Sequence, residues 1–114
     1  MAVDRDVVHL AIIAEALSDL RRRMTDADFA TFMADRDEQA LTSFRLSILG
    51  EHATKLSPEL KARHPAVPWV DMRGFRNIVS HEYHRVDPAL VWEAVQSLDD
   101  IETMVETELS ARKG

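Results

Sequence analysis

Val7-Val8-His9-Leu10-Ala11-Ile12-Ile13-Ala14-Glu15-Ala16-Leu17-Ser18-Asp19-Leu20-Arg21-Arg22-Arg23-Met24 decides the fold class. Val7, Leu10, Ala14, Leu17, Leu20 and Met24 recur at steps of three and four, which traces one face of a helix from about Asp4 to Met24. Arg21, Arg22 and Arg23 stand where cations suit the negative end of the helix dipole. The same period returns near the other end of the chain. Asp87-Pro88 reads as a cap followed by a first-turn proline. Val91, Ala94, Val95, Leu98, Ile101, Met104, Val105 and Leu109 then hold the register, so a single last helix is expected to reach about Leu109.

Between these ends the chain reads as further helices. Thr25 or Asp26 can cap a short one containing Phe29, Phe32 and Met33. A longer helix is expected over about Asp37 to Leu56. It carries two apolar stripes, Ala40, Leu41, Phe44 and Ile48, and Leu46, Leu49, Ala53 and Leu56. Glu51 falls within the first stripe, an unusual place for a carboxylate. Ser57-Pro58-Glu59 starts a turn or two that Pro65 ends. Pro68-Trp69-Val70-Asp71 starts the next helix, expected to turn Met72, Phe75, Ile78 and Val79 inward, with His81 to Val86 irregular. No segment alternates as a strand would. The expectation is one all-α domain over residues 1–114, a four- to five-helix up-and-down bundle.

Composition narrows the function. A net charge of −6 argues against a general nucleic-acid coat, though not against a local basic groove. There is no cysteine, hence no disulfide and no thiolate metal site, which is compatible with the reducing cytoplasm expected as its location. No apolar run approaches the roughly 18 residues of a membrane span, so no membrane partner is expected. The N-terminal residues alternate charge with apolar groups, unlike a signal peptide.

Arg76 and His81 are separated by four residues, and Tyr83 follows with one between. Upstream stand Ile48-Leu49-Gly50-Glu51-His52-Ala53, Pro65-Ala66-Val67-Pro68-Trp69 and Gly74-Phe75-Arg76-Asn77; downstream run Val86-Asp87 through Val91-Trp92. In that order, over about Glu38 to Leu109, these landmarks resemble the HepT branch of the HEPN superfamily. Phe75 replaces the usual Met, His52 the usual Ala, and His84 an aromatic. The resemblance implies a helical bundle and cofactor-free, metal-independent RNA cleavage. It implies a homodimer in which both motifs line one cleft. It also implies a minimal nucleotidyltransferase antitoxin of the MntA type, which silences the toxin by attaching AMP to the motif tyrosine, here Tyr83.

The residues carry that chemistry on physical grounds too. Histidine titrates near neutrality, so His81 can act as general acid or base. Arg76 stays charged and offers a planar fork of donors to phosphoryl oxygens. Asn77 could position either partner. Arg73, Arg76, His84 and Arg85 supply local positive charge around His81. Five residues on a regular helix amount to 500°, so Arg76 and His81 would point about 140° apart. They converge only if the helix ends near Ser80, or if they serve halves of a cleft from different subunits. Glu51 reads as a support that pairs with Arg73 or Arg76 rather than as a catalyst. His81-Glu82-Tyr83-His84 is not the zinc-helix spacing, and no third ligand is evident, so no metal is expected. Trp69 and Trp92 read as core, and Asp99, Asp100, Glu102, Glu106 and Glu108 as a solvated face. The rival readings are a groove that binds a nucleotide or RNA end without cutting it, and a helical dimer whose motif is idle.

Overall fold

Short polar side chains set where the helices begin. Asp4, Asp28, Asp35, Ser57 and Asp87 each accept a hydrogen bond from a backbone N–H of the first turn, at 2.7–3.3 Å. Neither Thr25 nor Asp26 caps the second helix as expected, since Asp28 does. The Thr25 hydroxyl instead donates back to the Arg21 carbonyl and closes the first. The computed structural model describes residues 4–113, apart from the side chain of Tyr83. Its helices are α1 (Arg5–Met24), α2 (Phe29–Ala34), α3 (Arg36–Thr54), α4 (Pro58–Arg63), α5 (Trp69–Glu82), α6 (Pro88–Gln96) and α7 (Asp99–Lys113). A 3-10 turn, Tyr83–Arg85, follows α5.

Contacts between helix ends fix the directions. Arg23 at the end of α1 meets Glu38 at the start of α3, at 2.5 Å. Asp6 at the start of α1 accepts from the Ser57 N–H just past α3, at 2.9 Å. The two helices therefore run antiparallel. Arg112 near the end of α7 reaches Asp4 at 2.6 Å, and Arg21 reaches Asp99 at 2.8 Å, so α7 is antiparallel to α1 as well. α5 lies along α3, and the all-α, up-and-down reading holds. The core is built by Leu10, Ile13 and Leu20 of α1, Leu46, Leu49 and Ala53 of α3, and Ile101, Met104 and Val105 of α7. Each large apolar side chain buried there contributes roughly 1.5–3 kcal/mol.

One glycine makes the α3–α5 contact possible. A Cβ on Gly50 would overlap the Met72 carbonyl oxygen and lie 2.8 Å from the Arg76 Cβ. The absence of a side chain lets the two helices touch backbone to backbone, and this brings Arg76 against α3.

Several expectations need correction. Of the two stripes on α3, Leu46, Leu49 and Ala53, continued by Leu56, are buried in the core, while Ile48 of the other only packs against it and Phe44 is 59 % exposed. Ile78 is exposed rather than inward, because α5 packs chiefly on α3 and turns its far side out. α5 runs on through His81 and Glu82, since nothing in Ser80-His81-Glu82 breaks a helix; it tightens into the 3-10 turn only before Asp87-Pro88. The last helix is split at Ser97, whose hydroxyl donates to the Glu93 carbonyl and competes with the helical ladder. Leu98 stays buried across the break. The segment count exceeds four or five for this reason, and because α2 and α4 are only six residues long. No helix among the described residues is long and apolar enough to cross a membrane.

Candidate functional site

The close α3–α5 contact sets Arg76 beside Glu51. The Arg76 Nε donates to Glu51 Oε2 at 2.6 Å, and its Nη1 donates to Asn77 Oδ1 at 3.0 Å. Lys55 Nζ stands 3.2 Å from the other Glu51 oxygen. Lys55 and then Arg76 hold the Glu51 carboxyl below the usual carboxylate range, so it is anionic at neutral pH. Both partners are about one-third exposed, and such a pair adds little stability; what it does is fix the guanidinium. Of the two arginines Glu51 was expected to pair with, the structure selects Arg76. Arg73 is exposed, with no ion pair or side-chain hydrogen bond recorded among the described residues.

Phe44, Ser47, Ile48, Glu51 and His52 of α3 and Arg76 and Ser80 of α5 line a groove of about 340 Å³. His81 is not among its lining residues. Because α5 continues past His81, Arg76 and His81 stand on one helix about 140° apart. The first route to convergence, a helix ending near Ser80, is closed. His81 is exposed, on the turned-out side of α5 that also carries Val70 and Ile78, 71 % and 47 % exposed. Tyr83 begins the 3-10 turn, and its side chain lies outside the described residues. His84 sits with Arg36, Gln39 and Ser43 in a separate small pocket, and Arg85 pairs with Glu82 at 3.5 Å. Of the positive charge expected around His81, Arg76 lies in the groove and His84 in the separate pocket. Among the described residues no three His, Asp or Glu side chains gather as a metal-ligand set.

Two features escape the sequence reading. His52 does more than replace a small residue: its Nδ1 lies 3.0 Å from the Nδ1 of His9 on α1, one donating to the other. Burial, then the neighbouring His9, pushes the His52 imidazole below its usual value, so it is mostly neutral at pH 7. No local signal joins residues 43 apart. Nor is Glu108 solvated. It is 4 % exposed, accepting from Arg63 at 2.7 and 3.1 Å and from Arg112 at 2.9 Å, with His64 Nε2 at 2.6 Å. Trp69 and Trp92 pack against the core as expected, and the Trp69 indole N–H donates to the His64 carbonyl.

The family described as "Ribonuclease HepT-like" matches residues 13–108. A Methanocaldococcus jannaschii protein provisionally named an RNase is 31% identical over 93 residues, 81% of this chain and 85% of that one. A protein of Thermococcus cleftensis named a probable ribonuclease HepT is 30% identical over 88 residues, 77% of this chain and 80% of its own. A provisionally named RNase of Caldanaerobacter subterraneus is 27% identical over 106 residues, 92% and 95% of the two chains. No solved structure matches the chain significantly.

Proposed function

The chain belongs to the HepT-like ribonuclease family of HEPN proteins, and from that premise we propose that it is a cytoplasmic toxin that cleaves RNA as a homodimer. Arg76 and His81 carry the reaction. The ribose 2′-oxygen attacks the adjacent phosphorus, the bond from phosphorus to the 5′-oxygen breaks, and the products are a 2′,3′-cyclic phosphate and a 5′-hydroxyl. His81 moves the proton, as base to the 2′-hydroxyl or as acid to the leaving oxygen. Arg76, held on its inner edge by Glu51 and steadied by Asn77, meets the charge that builds on the phosphoryl oxygens.

The observation that carries this reading is the family match over residues 13–108, and the uninterrupted helix from Arg76 to His81 gives it the form of a shared cleft. That helix keeps the phosphate-binding group and the proton carrier of one protomer apart. A two-fold partner docked on the turned-out side of α5 would supply the missing half to each site, and two-fold dimers are the commonest oligomers. The exposed Val70 and Ile78 on that side give a second copy apolar surface to cover. The reaction is tested with purified protein and labelled RNA. Cleavage is expected to persist in EDTA, to leave a cyclic or 3′-phosphate and to spare DNA. Activity lost to EDTA and restored by a divalent ion would falsify the metal-free mechanism.

Control in this reading comes from a nucleotidyltransferase antitoxin that attaches AMP to the Tyr83 phenol. The added phosphodiester would bind guanidinium bidentately and repel incoming RNA within the Debye length of about 8 Å. Tyr83→Phe is expected to stay toxic and nucleolytic yet escape silencing. Growth with and without the antitoxin, beside the mass of the Tyr83 peptide, measures this. Full rescue of Tyr83→Phe by the antitoxin would remove the tyrosine from the account.

A further inference from the structure

Phe44 is a large aromatic left 59 % exposed on α3, at the mouth of the groove that holds Arg76. We propose that this groove is a nucleotide subsite in which Phe44 stacks a nucleobase while the outer edge of the Arg76 guanidinium takes the neighbouring phosphate. The inference rests on RNA being the substrate. It adds a place for an unpaired base and a residue that selects single strands.

Stacking on an exposed aromatic is how proteins hold unpaired bases, because every base offers a flat face. The groove, about 340 Å³, lies within the range of roughly 300–1,000 Å³ typical of small-ligand pockets. Its charge suits a phosphate. Glu51 faces two cations, Lys55 and Arg76, which leaves one net positive charge on the trio. Glu51 takes the Arg76 Nε, and among the described residues no partner is recorded for Nη2, so the far edge of the fork is open. The polar groups at the walls can meet a base edge. Ser80 is exposed, and His52, whose Nδ1 is shared with His9, has no partner on Nε2 among the described residues. A second copy of the chain, whose His81 reaches the rim beside Arg76 in the shared cleft, is the poorer occupant of the groove itself. Covering Phe44 that way would also strip water from Glu51, Lys55 and Arg76, at several kcal/mol per ion. A nucleotide brings its own anion to the same spot.

The test uses the whole protein and a 2′-O-methyl oligoribonucleotide, which cannot be cleaved, carrying 2-aminopurine as the fluorescent base. Binding is expected to quench the fluorescence through stacking. Phe44→Leu keeps apolar bulk but loses the ring, and is expected to weaken binding roughly five- to hundredfold and to abolish the quench. Phe44→Trp is expected to restore both. Light scattering on each variant reports the oligomeric state. Binding and quench unchanged in Phe44→Leu, or no binding by the wild type, would overturn the subsite. So would loss of binding in step with conversion of a dimer to monomers, which would make Phe44 a subunit contact. Quenched binding by a wild type that leaves ordinary RNA intact would support the subsite while removing the nuclease reading, so the two can fail separately.

Discussion

Arg76→Ala and His81→Ala are each expected to lower RNA cleavage by roughly 10²–10⁴-fold. Mixing the two inactive variants is then expected to return about one quarter of wild-type activity. The reason is the helix they share. If each site takes Arg76 from one protomer and His81 from the other, a mixed dimer has one site with both groups lost and one with both intact. Random exchange makes half of the dimers mixed, and half of their sites are whole. If one protomer supplied both groups, every site in the mixture would lack one of them, and nothing would return. The assay needs subunit exchange, followed by mass measurement of a tagged partner, before RNA is added. No recovery despite proven exchange would sink the shared cleft. Unchanged activity in either single variant would remove that residue from the chemistry.

Glu108→Ala is expected to cost about 1–3 kcal/mol of folding stability, because several charge-assisted hydrogen bonds to one buried carboxylate are lost while Arg63, half exposed, regains water. The carboxylate is 4 % exposed and ties α7 to Arg63 and His64 after α4; through Arg112 it also ties to Asp4 ahead of α1. Against a typical total of about 5–15 kcal/mol the loss is large. Acid should have a related effect. The Arg63 guanidinium, then His64 and Arg112, hold the Glu108 carboxyl far below its ordinary value of 4.5, in spite of burial. A depressed carboxylate contributes stability that is complete above the unfolded value and is lost as pH falls toward the folded one. Urea unfolding of the wild type and Glu108→Gln should therefore show a constant gap at neutral pH that narrows below about pH 4.5. A gap that keeps its size down to pH 3, or one under about 1 kcal/mol at pH 7, would show that the network is not the tie described here.

Local chemistry determined much of this molecule before any fold was known. Helical steps in α1 and α7, caps at Ser57 and Asp87, and prolines at Pro58 and Pro88 act within a few residues, so they can be read in a line. The ordered landmarks around Gly50, Trp69 and Arg76 marked the family for the same reason. What periodicity could not say was which apolar stripe meets a neighbour. Phe44 and Leu46 look alike in a sequence, and only the seat of α5 against Gly50 leaves one in solvent and the other in the core. The break at Ser97 was hidden because Leu98 and Ile101 keep the buried register across it. Glu108 read as one more acid on a solvated face, until the fold placed Arg63 and His64, more than forty residues earlier, around it. His9 and His52 met in the same way. The sequence named Arg76 and His81 and their 500° of separation. Only the tertiary structure decided that α5, seated against Gly50 of α3, sets Arg76 in a groove and leaves His81 outside it.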